Sequence, residues 1–220
     1  MTLQDRLDAF KAEFRAARPA DVRATMERAT AELIASGAAS RALKAGDRAP
    51  AFMLEAQDGN PVSSADLLAR GPMVVSFYRG VWCPYCNMEL QALEDARSDF
   101  EAAGANLVAI SPQNRVNSRK SVRENTLGFP ILSDAGNAVA AAFGLRFALP
   151  GYLVDLYKSL GNQLPAFNGD DSWTLPMPGR FVIGSDGVVV YAEVNPDYTR
   201  RPEPADMLPA IRRAASAVAA

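Results

Sequence analysis

The chain has 220 residues, 49% hydrophobic and 22% charged, a balance that fits a soluble globular protein with one sizeable core. With 23 basic against 25 acidic residues the net charge is −2, so no general positive field exists to gather nucleic acid or an anionic membrane. Histidine is absent, which removes Cys-His nucleophilic pairs, Ser-His-Asp triads and histidine metal clusters.

Residues 1–40 are Ala-rich and helical in period. Leu3, Leu7, Phe10 and Phe14 form one apolar stripe, and Val22, Met26, Ala29 and Leu33 form a second, with Pro19 dividing the two helices. Gly37 ends the second helix, since glycine accepts the left-handed geometry of a helix terminus. No uninterrupted apolar run marks a secretory leader here, and no stretch reaches membrane-spanning length. A cytoplasmic protein with reduced thiols is therefore expected. The two stripes are expected to pack against the main domain, residues 41–220, as an N-terminal extension; a homodimer contact is the alternative use.

From residue 47 the pattern turns to short strands alternating with helices. Strands are predicted at 49–54, 72–78, 106–111, 180–184 and 188–194, rich in β-branched and aromatic residues. Helices are predicted at about 63–70, 84–103, 116–126, 135–143, 151–160 and 204–219, with Gly104 stopping the second of these. Ser185-Asp186-Gly187 reads as the turn of a hairpin joining the last two strands. This order implies an α/β fold with a central mixed sheet flanked by helices. The stretch 146–177 is the least regular and is expected either to border a site or to be a surface connection.

The only two cysteines, Cys83 and Cys86, lie in FYRGVWCPYCNMEL (77–90), where a strand gives way to a helix starting near Pro84. Unpaired N–H groups and the helix dipole stabilise an anion there, so a thiol can titrate well below its usual range and act as a nucleophile near neutral pH. Residues three apart share a helical face, which puts the two sulfurs within disulfide reach, Cys83 outermost and Cys86 one turn inward. Zinc would need ligands this chain could supply only as carboxylates or from a second subunit. Two inert core thiols would have no reason to pair at such a junction. No metal or cofactor is expected, and no nucleotide loop is present.

AGDRAPAFML (45–54), VVSFYRGVWCPYC (74–86), LVAISPQ (107–113), FPILSDAGNAVAAAFGL (129–145) and RFVIGSDGVVVY (180–191) resemble the peroxiredoxin-like branch of the alkyl hydroperoxide reductase/thiol-specific antioxidant family. The resemblance spans about residues 45–194 and implies a thioredoxin-like fold of peroxiredoxin type. A typical member carries Pro-x-x-x-Thr-x-x-Cys and a distant Arg around the peroxide. Here Cys86 takes the peroxidatic position, Cys83 replaces the Thr and Arg79 the Pro. The position of the usual Arg is Pro178, where thioredoxins carry a cis-proline; Arg180, two residues on, either restores the lost charge or faces solvent.

The resemblance implies a thiol-dependent peroxidase. Cys86 attacks hydrogen peroxide or an organic hydroperoxide, and Cys83 closes an internal disulfide that a thioredoxin-like protein or low-molecular-weight thiol reduces. One alternative is a disulfide oxidoreductase in which Cys83 attacks and Trp82, Tyr85 and Pro178 form an apolar contact surface. Another is a non-catalytic module that senses redox state.

Overall fold

The structure, a computed structural model, describes residues 1–216. Two helices come first, α1 (Leu3–Ala17) and α2 (Ala20–Ala35). Thr2 caps α1 by accepting from the Asp5 N–H while Asp5 accepts from the Thr2 N–H, satisfying two backbone donors that the first turn leaves free. Pro19 separates the two helices and Gly37, at φ +67°, follows the second.

The central sheet has seven strands: β1 (Met53–Ala56), β2 (Pro61–Ser63), β3 (Met73–Phe77), β4 (Asn106–Ser111), β5 (Ile131–Ser133), β8 (Gly179–Ile183) and β9 (Val189–Val194), in the order β2-β1-β5-β4-β3-β8-β9. A separate ribbon pairs β6 (Arg146–Ala148) with β7 (Thr174–Pro176). Strands β3, β4 and β5 run parallel, while β8 meets β3 antiparallel with Ser76 opposite Arg180. Parallel neighbours need helical crossovers. These are α4 (Pro84–Asp95) with α5 (Arg97–Ala102), and α6 (Arg115–Asn125), which follow a short α3 (Ser64–Leu68). Helices α7 (Ala138–Ala142), α8 (Gly151–Ser159) and α9 (Leu164–Asn168) lead to β7, and α10 (Leu208–Ser216) closes the described chain.

Alternation along β3 divides the core. Met73, Val75 and Phe77 join Phe143, Phe181 and Ile183 on one face of the sheet. Val74 and Tyr78 join Leu90, Leu93, Phe100 and Val182 on the other, beneath α4, where Leu3 and Leu7 of α1 are also buried. The first apolar stripe thus packs within the chain. The second is only half-buried: Ala29 packs against the small cluster of Leu149, Leu153, Tyr157, Leu164 and Leu175, and no residue of α2 is fully buried.

Several boundaries differ from expectation. Residues 49–52 lie outside any strand, tied by single backbone bonds from the Ala49 N–H to Gly187 and from the Ser64 N–H to Phe52, and β1 starts at Met53. The long predicted helix breaks at Ala96, whose backbone flattens to φ −90°, ψ −5°. Short β2, β5, β6 and β7 escaped the periodicity reading because three residues do not establish an alternation. The predicted last helix opens as a 3₁₀ turn at Pro204–Met207, and its end at 217–219 lies outside the described residues.

Candidate active site

The loop from Tyr78 to Cys83 delivers both thiols. Gly80 turns it at φ +145°, where a Cβ would stand 2.5 Å from Trp82 Nε1, so a larger residue would be both strained and obstructed. Gln113 Oε1 accepts from the Val81 N–H at 2.9 Å, and Asn87 Nδ2 donates to the Val81 carbonyl at 2.8 Å, fixing the loop to the sheet and to α4. Cys83 is the N-cap of α4 and Pro84 opens its first turn, where a missing N–H costs nothing.

The two sulfurs face each other at 2.9 Å, Cys86 Sγ donating to Cys83 Sγ, and neither is disulfide-bonded. Both are buried, at 1% and 0% exposure. Cys83, the outer member of the pair along α4, is thus as enclosed as Cys86. Nor is the pair sealed in hydrocarbon. Arg79, itself buried, stacks over the rings of Tyr198 at 4.1 Å and Trp82 at 4.8 Å, and donates to the Tyr157 hydroxyl. Arg201 reaches the other sulfur, Nη2 standing 3.9 Å from Cys86 Sγ.

These charges separate the thiols. Burial alone would raise Cys83, but the hydrogen bond from Cys86 and the Arg79 guanidinium outweigh it and hold Cys83 down to about 6. Burial, the donated proton and the adjacent Cys83 anion push Cys86 well up. The two sulfurs share one proton, and at rest the negative charge sits on Cys83.

Arg201 is held by Glu89, one turn beyond Cys86. Glu89 accepts from Arg201 Nε through Oε2 and from Arg180 Nε through Oε1, the latter at 2.8 Å. All three side chains are at most 2% exposed. Burial would raise Glu89, but Arg201 and Arg180 overcome it and keep the carboxylate ionised. Arg180 is thus not solvent-facing: its Nε is held by Glu89 while Nη1 and Nη2 are buried without a hydrogen-bond partner, and its backbone lies opposite Ser76 in the sheet.

Arg201 lies outside the residues expected at the site, in a segment between the last predicted strand and the last predicted helix. Its only local signal is a charge doublet with no helix to sit on. The structure brings it in because α1 clamps the segment: Gln4 Oε1 accepts from the Arg201 N–H at 2.9 Å, and Glu203 Oε1 accepts from the Leu3 N–H at 2.6 Å.

Of the other expected site residues, Trp82 stands edge-on to Tyr157 and tilted against Phe167. Tyr85 is packed between Phe10 of α1, at 5.2 Å, and Tyr198. Pro178 is buried, and its preceding peptide is trans, as are all among the described residues, so the thioredoxin-type cis bond is absent here. Both Tyr85 and Pro178 are buried, Pro178 in the wall of a cavity and Tyr85 against Phe10 of α1 and Tyr198.

Comparison with known proteins agrees with this architecture. Residues 45–192 match the AhpC/TSA family. A Mycobacterium tuberculosis protein named as a peroxiredoxin is 32% identical over 117 residues, covering 53% of this chain and 76% of that one. The chloroplastic peroxiredoxin Q of Oryza sativa subsp. japonica is 31% identical over 146 residues, 66% of this chain and 57% of the other. Among solved structures, peroxidoxin BcpB of Mycobacterium tuberculosis superposes with a TM-score of 0.61 at 26% identity, covering 78% of this chain and 97% of that one. A core sheet entering a helix through paired thiols, on a chain matched over this length, has one reading: the protein belongs to the AhpC/TSA family and is a thiol-dependent oxidoreductase of peroxiredoxin type with a thioredoxin-like fold.

Proposed function

We propose that Cys83 and Cys86 reduce a hydroperoxide with Cys86 as the attacking sulfur. The observation that carries this is the 2.9 Å sulfur pair at the start of α4, with Arg201 at Cys86 Sγ and the charges of Arg79 and Arg201 acting on both sulfurs. When the shared proton passes to Cys83, the Cys86 thiolate beside Arg201 attacks the terminal peroxide oxygen. The O–O bond breaks, sulfur is oxidised to sulfenic acid, and the departing oxygen takes the proton from Cys83 to leave as alcohol or water. The Cys83 thiolate then attacks the sulfenic sulfur, forming the disulfide and breaking the S–O bond, and the expelled hydroxide takes a proton from buffer acid in the solvent to leave as water. Two electrons from an external thiol donor, a thioredoxin-like protein or a low-molecular-weight thiol in the cytoplasm, restore the pair.

Arg201 supplies from the C-terminal segment the positive charge that Pro178 lacks, aimed at oxygen as it gains charge in the transition state. Burial of both thiols favours a hydroperoxide over a protein disulfide as the oxidant.

The resting charge on Cys83 favours a second reading, in which the order within the pair is reversed and Cys83 attacks the peroxide. Peroxide consumption by single-cysteine variants with a thiol donor distinguishes the two. Loss of turnover in Cys86→Ser together with formation of sulfenic acid in Cys83→Ser supports the first order. Sulfenic acid in Cys86→Ser and none in Cys83→Ser supports the second, and full turnover in both variants removes the assignment.

A further inference from the structure

Helix α2 lies over a space it does not fill. Its apolar stripe supplies Met26, Ala29 and Leu33 to the wall of a cavity of about 610 Å³, and Leu149, Leu153 and Leu175 face them from the β6–α8–β7 insertion. A helix of 16 residues with none buried is unusual unless something else completes its apolar contact. The volume lies within the range of small-molecule sites, as does a mainly apolar lining with a few polar groups.

Polar groups stand at the two ends of this cavity. At the buried end are Tyr157, Tyr198 and Arg79, whose Nε is buried without a hydrogen-bond partner and whose charge acts on both sulfurs. At the exposed end are Arg41 and Arg146, neither in an ion pair among the described residues. Glu32 also lines the cavity, but its carboxylate is engaged by Arg28 and Tyr152. The charge left free at the mouth is positive.

We infer that this cavity binds an anionic amphiphile carrying a hydroperoxide, its apolar chain between α2 and α8, its anionic group at Arg41 and Arg146, and its reacting end toward Arg79. The extension that precedes the family's matched region would thus build half of the substrate site. The inference rests on the peroxidase reading for its chemistry, but binding can be tested apart from turnover.

The test is calorimetric titration of laurate, a chain of this class without a peroxide, into the Cys83→Ser/Cys86→Ser double variant. Saturable binding is expected. Leu33→Asp, which puts charge into the wall, and Ala29→Trp, which fills the space, should each weaken it roughly tenfold to a hundredfold. Dodecanol should bind more weakly than laurate, and Arg146→Glu should reduce that difference. Absence of laurate binding, or equal affinity in both wall variants, overturns the site; equal affinity for dodecanol and laurate overturns the anionic part. Laurate binding in a protein whose wild type consumes no peroxide would overturn the peroxidase reading while the site stands.

Discussion

At the scale of residues, the chemistry reduces to one proton between two sulfurs and two guanidiniums that compete to place the resulting charge. Arg79 and the Cys86 S–H favour the anion on Cys83; Arg201 is the counterweight at Cys86. A small alkylating reagent should accordingly react with a half-maximal rate near pH 6, fast above that pH where the thiolate persists and slow below it where the thiol is protonated. Arg79→Met removes a favourable charge and should move that midpoint upward by about one to three pH units. Mass spectrometry of the alkylated peptide identifies the sulfur, and an unmoved midpoint would contradict the role given to Arg79. For Arg201→Met we expect kcat/KM for peroxide to fall about a hundredfold, the scale of losing one preorganised donor, with the alkylation midpoint changed less than in Arg79→Met.

At the scale of elements, Glu89 joins three parts of the fold: α4, which carries it and Cys86; β8, which carries Arg180; and the segment that carries Arg201. Two guanidiniums against one buried carboxylate are tolerable only while the carboxylate remains. Glu89→Ala should therefore cost about 3–5 kcal/mol in urea unfolding, since it strands two buried cations at once. A loss below 1 kcal/mol, on the order of an exposed pair, would show that water reaches this cluster. This trio also marks what the sequence could disclose. The strand-to-helix placement of the thiols was legible because the apolar run of β3 and the Pro84 helix start are local signals. The burial of Arg180 was not, because its partner lies 91 residues earlier in the chain and a strand arginine carries no mark of which face is covered. Arg201 was less legible still, since an irregular segment has no period and its position depends on Gln4 of α1.

Across the whole molecule, the extension packs against the helix that carries the enclosed thiol pair. Leu3 and Leu7 anchor α1 in the core beneath α4, Phe10 covers Tyr85, and Glu203 accepts from the first turn of the same helix. A folded protein donor must meet a sulfur that is at most 1% exposed. Reduction of the Cys83–Cys86 disulfide by a thioredoxin-like protein should therefore be limited by the opening of α1, and its rate should level off as the donor concentration rises. Reduction by dithiothreitol should stay proportional to reductant over a wider range. Leu7→Ala empties a fully buried site and should weaken the anchoring by about 2–5 kcal/mol. If α1 is the gate, that variant raises the plateau for the protein donor more than it raises the rate with dithiothreitol, and stopped-flow traces at several donor concentrations measure both. A wild-type rate that climbs in proportion to protein donor without a plateau, and that Leu7→Ala leaves unchanged, would mean that the pair is reached by a route that does not involve α1.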